Sequence, residues 1–180
     1  KSLVDLNDDD LVKVTLRMDD GSVDLIRDEK DLQKWTMVKP VNMKANTATI
    51  NSLLFDLKNA RIVEFITTHT KNYKRFNFEQ PQKEINLTFK SGKTWTLKLG
   101  NQTSSPDHYF AQRSDDETVF TIQKSSAESI FRSLHDLKDR TALKFDDDVV
   151  REIQIHDSKQ TFILKKSTHK WNLILPKQSD

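Results

Sequence analysis

The sequence contains no cysteine and only three glycines among its 180 residues. Without cysteine, the chain can form no disulfide, hold no zinc through thiolates and carry out no thiol catalysis. Gly21, Gly92 and Gly100 lie too far apart for a loop whose clustered backbone N–H groups hold a phosphate. We therefore expect no P-loop or Rossmann-type nucleotide site, and no cofactor.

Long apolar runs and hydrolase motifs are also absent. No run reaches the roughly 18 apolar residues that mark a membrane-spanning helix, and no apolar leader follows Lys1. We expect any membrane attachment to come from an anchor outside these residues. No Gly-x-Ser-x-Gly motif is present, so the sequence predicts no catalytic residue and no enzyme.

Charge is abundant but balanced. The chain has 29 Lys and Arg against 27 Asp and Glu, for a formal net charge of +2, and the two signs are interspersed. Nucleic-acid binders usually concentrate basic residues on one face, so we expect no nucleic-acid partner. The lack of cysteine fits a cytosolic and a periplasmic protein equally well.

Strict alternation of apolar and polar residues predicts half-buried strands. It occurs at Val12, Val14 and Leu16, at Ile85, Leu87 and Phe89, and at Trp95, Leu97 and Leu99. Turn residues at 19–22 and 90–93 predict two hairpins. Further strands are expected at 107–113, 117–122, 149–156, 160–166 and 170–175, which makes the sheet content antiparallel.

Two segments have helical rather than strand periodicity. Ile50, Leu53, Leu54 and Leu57 form one apolar stripe, and Ala127, Ile130, Leu134 and Leu137 form another. Ser125 to Glu128 has the form of a capping box before the second stripe. The predicted fold is therefore α+β, with short amphipathic helices packed on antiparallel sheets.

The start and the end of the chain resemble each other. Trp35 and Pro40 recur 136 positions later as Trp171 and Pro176, and the Asp10 strand recurs 138 positions later at Asp148. We expect an internal repeat, a natural protein that continues beyond residue 180, and three segments, 1–66, 67–142 and 143–180, which can also form one continuous domain.

Several motifs resemble an uncharacterised bacterial family, the domain of unknown function 4340. They are Leu53–Leu57, Phe76–Pro81, the hairpin Ile85–Gly100, Tyr109–Ala111 and Ser133–Leu137. The family has Tyr and Gly where this chain has Phe76 and Asn77, and Asn can occupy a glycine position if its φ is positive. The resemblance implies an extracytoplasmic protein, tethered by an N-terminal membrane helix and accessory to ABC-type transport components. It implies no activity.

Acidic runs and histidines are the candidate metal ligands. Asp8–Asp10 and Asp146–Asp148 lack the alternating ligands of a calcium loop, and we interpret both runs as Asx turns that lead into strands. The histidines, at 69, 108, 135, 156 and 169, show no metal-binding spacing. We expect no metal site.

Aromatic residues offer the remaining candidate sites. The segment Lys71–Phe76 combines basic and aromatic residues, but we interpret Phe76 and Phe78 as anchors of a surface loop. We expect Trp35, Trp95 and Trp171 to pack in the core or against hairpins. The sequence thus favours a non-catalytic interaction or scaffold module with a protein partner. The alternative is a glycan- or peptide-binding domain with an exposed aromatic groove.

Overall fold

The computed structural model describes residues 3–4, 7–19, 21–67, 73–141, 146, 148–168 and 170–175, without the side chains of Asp8, Tyr73, Lys74 and Glu117. The chain divides into two compact units, Lys1–Arg140 and Thr141–Asp180. Among the described residues, no helix has both the length and the apolar character needed to cross a bilayer.

The first unit contains a nine-stranded sheet. Its strands are β1 (Leu11–Met18), β2 (Gly21–Arg27), β3 (Trp35–Lys39), β4 (Met43–Lys44), β5 (Glu64–Thr67), β6 (Lys83–Phe89), β7 (Thr94–Gln102), β8 (His108–Arg113) and β9 (Asp116–Gln123). They lie in the order β4-β3-β2-β1-β6-β7-β8-β9-β5, and every neighbouring pair is antiparallel. The predicted segments 1–66 and 67–142 both contribute strands to this sheet.

The described residues of the first unit also form four α-helices and a short 3₁₀ turn. The helices are α1 (Thr47–Asn59), α2 (Tyr73–Phe76), α3 (Lys124–Ile130) and α4 (Leu134–Leu137), and the 3₁₀ turn is Asp8–Asp10. The second unit is a three-stranded antiparallel sheet of β10 (Glu152–His156), β11 (Thr161–Ser167) and β12 (Lys170–Leu175). The predicted α+β class with antiparallel hairpins is confirmed.

Most of the predicted strands are present. Both predicted hairpins, β1–β2 and β6–β7, form as expected, and the five further strands lie within three residues of their predicted bounds. The short edge strands β4 and β5 were not predicted. One has only two residues, and the other, Glu64–Thr67, lacks an alternating pattern.

Helix α1 confirms the first helical prediction. Its cap, Asn46, accepts a hydrogen bond through Oδ1 from the backbone N–H of Thr49 at 3.2 Å, which satisfies one of the free donors of the first turn. The four predicted stripe residues are all buried. They belong to one hydrophobic core together with the inward side chains of the sheet.

The second predicted helix was wrong as a continuous element. It is divided into α3 and α4, with Phe131 as the C-cap of α3. Ser133 starts the next helix, because its Oγ accepts a hydrogen bond from the N–H of Asp136 at 3.2 Å. The predicted capping box at Ser125 is also wrong, since α3 begins after Gln123 without a side-chain cap bond. In the apolar stripe predicted for this helix, Ala127, Ile130 and Leu137 are buried and Leu134 is partly buried.

Asn77 has the positive φ that was expected of an Asn in the position where the resembled family has Gly. Asn77 has a φ of +65°, the left-handed region that Asn tolerates better than most residues. This turn lies beside Gly100, where an added Cβ would sit 2.0 Å from the carbonyl oxygen of Phe76. Glycine at position 100 therefore allows the two backbone segments to approach closely.

The face of the sheet opposite the core carries polar side chains that bind one another. Asp24, only 11% exposed, accepts hydrogen bonds from Lys13 Nζ at 3.0 Å and Thr15 Oγ1 at 2.9 Å. Burial raises the pKa of Asp24, but these two hydrogen bonds and the nearby Lys39 outweigh burial, so the pKa lies below its ordinary value of 3.8.

We expect Leu54→Ala to lower the free energy of unfolding by about 2–5 kcal/mol, because a lost buried side chain leaves a cavity. Leu54 is 3% exposed, whereas its neighbour Phe55 is 65% exposed on the same helix. The matched control, Phe55→Ala, should stay within about 0.5 kcal/mol of the wild type. Urea unfolding measures both, and equal effects would contradict the orientation of α1.

We expect Asp24→Asn to destabilise the protein by about 1–3 kcal/mol near neutral pH, since Lys13 loses its charged partner. The folded pKa of Asp24 is depressed, so its contribution is complete above 3.8 and is lost as the pH falls through the folded value. The penalty should therefore shrink in unfolding experiments at about pH 3 compared with about pH 7. A penalty that does not depend on pH would show that the charge of Asp24 contributes nothing.

Candidate functional site

The second unit is an amphipathic sheet. Directly opposed residues of neighbouring strands share a face, and the pairs Ile153–Leu164, Ile155–Phe162, Leu164–Leu173 and Lys166–Trp171 place six apolar side chains together. We call this set the apolar face of β10–β12: Ile153, Ile155, Phe162, Leu164, Trp171 and Leu173. Alternation within each strand is the local cause, because every second residue points to the same side.

Much of this apolar face is open to solvent. Ile155 and Leu173 are each 51% exposed, Trp171 is 39% exposed and Ile153 is 36% exposed. Phe162 and Leu164 are half-buried. Scattered exposed apolar residues are common on proteins, but a contiguous set on one sheet face is typical of a binding surface.

A cation lies at one end of the apolar face. Lys166 Nζ is 5.9 Å from the centre of the Trp171 ring, within the range of a cation–π contact. Its aliphatic stem adds to the apolar surface while its ammonium group provides a positive charge. The face therefore offers a mostly apolar surface with one basic position.

The opposite side of β10–β12 is mostly polar, although Ile163 and Leu175 face each other there. Glu152 pairs with Lys165 across the strands at 2.9 Å, and His156 Nδ1 lies 2.8 Å from Thr161 Oγ1. The hydrogen bond from Gln154, followed by that from Lys165, lowers the pKa of Glu152 below its ordinary value. These polar groups already form hydrogen bonds and an ion pair with one another, so the apolar face is the better candidate for binding.

The strand pairing of β10–β12 matches that of β1–β3, pair for pair. Val14–Leu25 and Leu16–Val23 in the first hairpin correspond to Ile153–Leu164 and Ile155–Phe162 in the second. In each correspondence the residue numbers differ by 139. The offset of 138 expected from the Asp runs would place Glu152 at the position of Val14, which differs by one residue from the offset of these strand pairs.

The third strands correspond as well. Leu25–Met37 and Arg27–Trp35 match Leu164–Leu173 and Lys166–Trp171, and both sheets have a register shift at the same step, between Asp24 and Leu25 and between Ile163 and Leu164. Each tryptophan also has a cation over its ring, Arg27 at 5.4 Å in the first sheet.

The equivalent faces differ in exposure. On β1–β3 the corresponding residues are at most 2% exposed: Val14, Leu16, Val23, Leu25, Trp35 and Met37. They share a core with the stripe of α1. The same arrangement of strands is thus covered in one unit and exposed in the other.

The tryptophans predicted to pack are not equivalent in burial. Trp35 is 2% exposed and Trp95 is 5% exposed, and Trp95 Nε1 donates a hydrogen bond to Asp115 at 3.1 Å. Trp171 lies against Lys166 of the neighbouring strand and remains exposed. Core packing is confirmed for the first two, and Trp171 is a surface residue.

The acidic runs form turns. Asp148 donates its backbone N–H to Asp146 Oδ1 at 3.0 Å, as in the predicted Asx turn, while Asp147 lies outside the described residues. Asp8–Asp10 forms a 3₁₀ turn directly before β1, with Asn7 Nδ2 donating to Asp10 Oδ2 at 2.8 Å. Within the described part of the chain, no group of three or more His, Cys, Asp or Glu could hold a metal ion.

Phe76 and Phe78 are buried, as expected for anchors. They are 3% and 2% exposed and form a small cluster with Val119, against which Phe110 packs. Lys71, at the start of the basic and aromatic segment, lies outside the described residues, as do His69 and His169.

The polar face of the large sheet contains a cavity of about 370 Å³. It is lined by Glu84, Asn86, Thr96, Lys98, Gln112, Arg113 and Ser114. Asn86 Nδ2 donates to Glu84 at 2.7 Å, and Thr96 Oγ1 donates to Asn86 Oδ1. These side chains form a polar network within the sheet, and no aromatic ring is among the described lining residues.

The fold and the exposed surface define an antiparallel α+β protein with a separate, amphipathic three-stranded sheet. The chain belongs to the family of the domain of unknown function DUF4340, whose model matches residues 35–180 and so includes β10–β12. No curated protein and no solved structure matches the chain.

Sequence reasoning did not single out Ile155, Lys166 and Leu173. Their alternation was readable and predicted the strands, but alternation shows only that one face is apolar. It does not show whether another element covers that face.

We expect iodide or acrylamide to quench the fluorescence of one class of tryptophan strongly, because Trp171 is far more exposed than Trp35 and Trp95. Trp171→Phe should remove this accessible class. Trp95→Phe, as the control, should leave it unchanged. If quenching is equally weak in the wild type and in Trp171→Phe, the ring is covered in solution.

Proposed function

We propose that this chain is a non-catalytic interaction or scaffold module, and that the apolar face of β10–β12 binds its protein partner. The supporting observation is the exposure of Ile155, Trp171 and Leu173 on one sheet face. Keeping such a face in water is unfavourable, since burial of apolar surface contributes about 25 cal/mol per Å². A partner that covers it gains this free energy.

The polar groups of the large sheet support the non-catalytic part of this proposal. Glu84, the carboxylate in the cavity, accepts a hydrogen bond from Asn86 and lies 3.7 Å from Arg17. A general base must lie within hydrogen-bond reach of the proton that it abstracts from a substrate. Here the carboxylate is held within the surface network of the sheet.

The cellular setting is proposed from the family. The resemblance described from the sequence implies an extracytoplasmic, membrane-anchored protein that accompanies ABC-type transport components, and we propose this location and this class of partner for the chain. Membrane attachment would be through an anchor alone. The interspersed charges, 29 basic against 27 acidic, speak against a nucleic-acid partner.

We also propose that β10–β12 is a second copy of β1–β3. The matching pairs, the shared register shift and the cation over each tryptophan support this relationship. Two unrelated hairpin sheets can share an antiparallel strand order by chance. A register shift between the same pair of residues is more specific and therefore supports a common origin.

A glycan- or peptide-binding domain is the second candidate. Trp171 is the exposed ring on which a sugar could stack. Lys166 already lies over that ring at 5.9 Å, and the next residues on the same face, Leu164 and Leu173, have no hydrogen-bonding side chain. A sugar platform needs polar groups beside the aromatic ring, so this observation favours a protein partner.

The proposal is tested by purifying the natural protein from membranes of its own host after cross-linking in the cell. We expect subunits of an ABC transporter in the wild-type sample, and their loss with Leu173→Glu. Asn172→Glu is the matched control, because Asn172 is the adjacent, exposed residue on the polar face. Equal recovery of the transporter with both variants, or no transporter at all, would contradict the proposed function.

A further inference from the structure

We propose that two copies of this chain pair through the outer edge of β10, antiparallel and around a two-fold axis at Gln154. Their three-stranded sheets then form one continuous sheet. This inference goes beyond the proposed function, because it concerns the edge of the sheet and leaves its apolar face to the partner.

The outer edge of β10 is open. β10 lies at one end of the order β10-β11-β12, no other described strand pairs with it, and all five of its residues are exposed. The equivalent strand of the first unit, β1, uses this edge to pair with β6. In a second copy β6 is already held between β1 and β7, whereas β10 offers the same open edge. Such an edge accepts a further strand through its backbone N–H and C=O groups.

The hydrogen bonds to β11 show which backbone groups of β10 face outward. Lys166 donates its N–H to the carbonyl oxygen of Arg151 at 2.9 Å. Hydrogen-bonded positions alternate along an antiparallel strand, so every second residue from Arg151 onward faces β11. The backbone groups of Glu152, Gln154 and His156 therefore point away from β11, toward the open edge.

Residues 151–157 are complementary to their own reversed sequence, since they read Arg-Glu-Ile-Gln-Ile-His-Asp. In two antiparallel copies centred on Gln154, the opposed residues are Gln154 with Gln154, Ile153 with Ile155, Glu152 with His156 and Arg151 with Asp157. Opposed apolar residues and opposed charges of unlike sign stabilise an antiparallel pair. Charged residues on an edge usually discourage pairing, but here each acidic residue meets a basic residue or a histidine. The side chains of β10 therefore favour a second copy of the same strand.

The position of the axis follows from both the backbone and the side chains. With the axis at Gln154, each outward-facing residue meets another outward-facing residue, so their N–H and C=O groups can bond. An axis at Ile153 would oppose Arg151 to Ile155. An axis at Ile155 would oppose Ile153 to Asp157. Either shift places a charge against an apolar side chain.

The charged side chains already have contacts within one chain and keep the capacity for another. His156 contacts a threonine of β11 through Nδ1 at 2.8 Å, so Nε2 can reach Glu152 of the second copy. Glu152 pairs with a lysine of β11 at 2.9 Å, and a carboxylate accepts several hydrogen bonds. Asp157 accepts two backbone hydrogen bonds through Oδ1, which leaves Oδ2 for Arg151 of the second copy.

The test is sedimentation equilibrium of the whole chain at concentrations up to about 1 mM, where even a complex with a Kd of that order is populated. We expect the average mass to rise with concentration from that of one chain toward that of two. It should rise no further, because a two-fold pairing uses the same edge of both copies and closes the assembly.

Substitutions at Gln154 test the register, because this exposed residue meets its own copy. Gln154→Glu and Gln154→Lys each place like charges directly opposite one another, so each variant alone should associate at least about tenfold more weakly than the wild type. An equimolar mixture of the two variants should recover the dimer mass, since opposite charges then meet. Asn172→Glu, at an exposed polar position of β12, is the matched control and should dimerise like the wild type. Circular dichroism checks that each variant is folded.

The mass of one chain at every concentration would overturn the inference, as would a wild-type dimer that both Gln154 variants retain. A mixture of the two variants that stays monomeric would reject the axis at Gln154. Loss of the dimer with Leu173→Glu but not with Gln154→Lys would mean that two copies meet through the apolar face instead. None of these results changes the transporter recovery that tests the proposed function through Leu173, so the two can fail separately.

Discussion

The alternating strands of this protein each have one apolar face, and excluding water from that face stabilises the fold. In the first unit, α1 contributes to this exclusion of water, because its four stripe side chains lie on one side of the helix and share a core with the sheet, α3 and α4. The sheet and the helix are therefore mutually dependent. The first unit buries its apolar side chains in one core and carries its polar network on the opposite face of the sheet. The second unit leaves much of its apolar face exposed.

The hydrophobic periodicity of the sequence predicted most of the strands and helix α1. The hairpins β1–β2 and β6–β7, the strands β8–β12 and the stripe of α1 were readable because apolar residues recur at a fixed spacing over several positions. The buried phenylalanines Phe76 and Phe78 were also predicted, since a large aromatic residue in a polar loop gains most by packing inward.

The features that the sequence did not predict depend on a choice between two possible helix starts or on residues far apart in the sequence. Ser133 and Ser125 are both possible helix starts, and the cap bond to Asp136 forms at Ser133. The ion pair between Arg132 and Asp56 at 3.1 Å also joins the break between α3 and α4 to α1, far away in the sequence. The exposure of Leu173 could not be predicted either, because a sequence pattern does not show which element covers a sheet face.

The register shift shared by strands β1–β3 of the large sheet and by β10–β12 has a consequence for chain length. The connection from Arg27 to Trp35 is longer than that from Lys166 to Trp171, yet the same pairs form beside it. The same strand pairs therefore form beside connections of two different lengths. Leu32 is the exception within this loop, because its carbonyl oxygen accepts a hydrogen bond from Nε of the buried Arg27. An insertion between residues 28 and 34 that keeps this bond would change only the surface loop, which makes the loop a natural position for an engineered label.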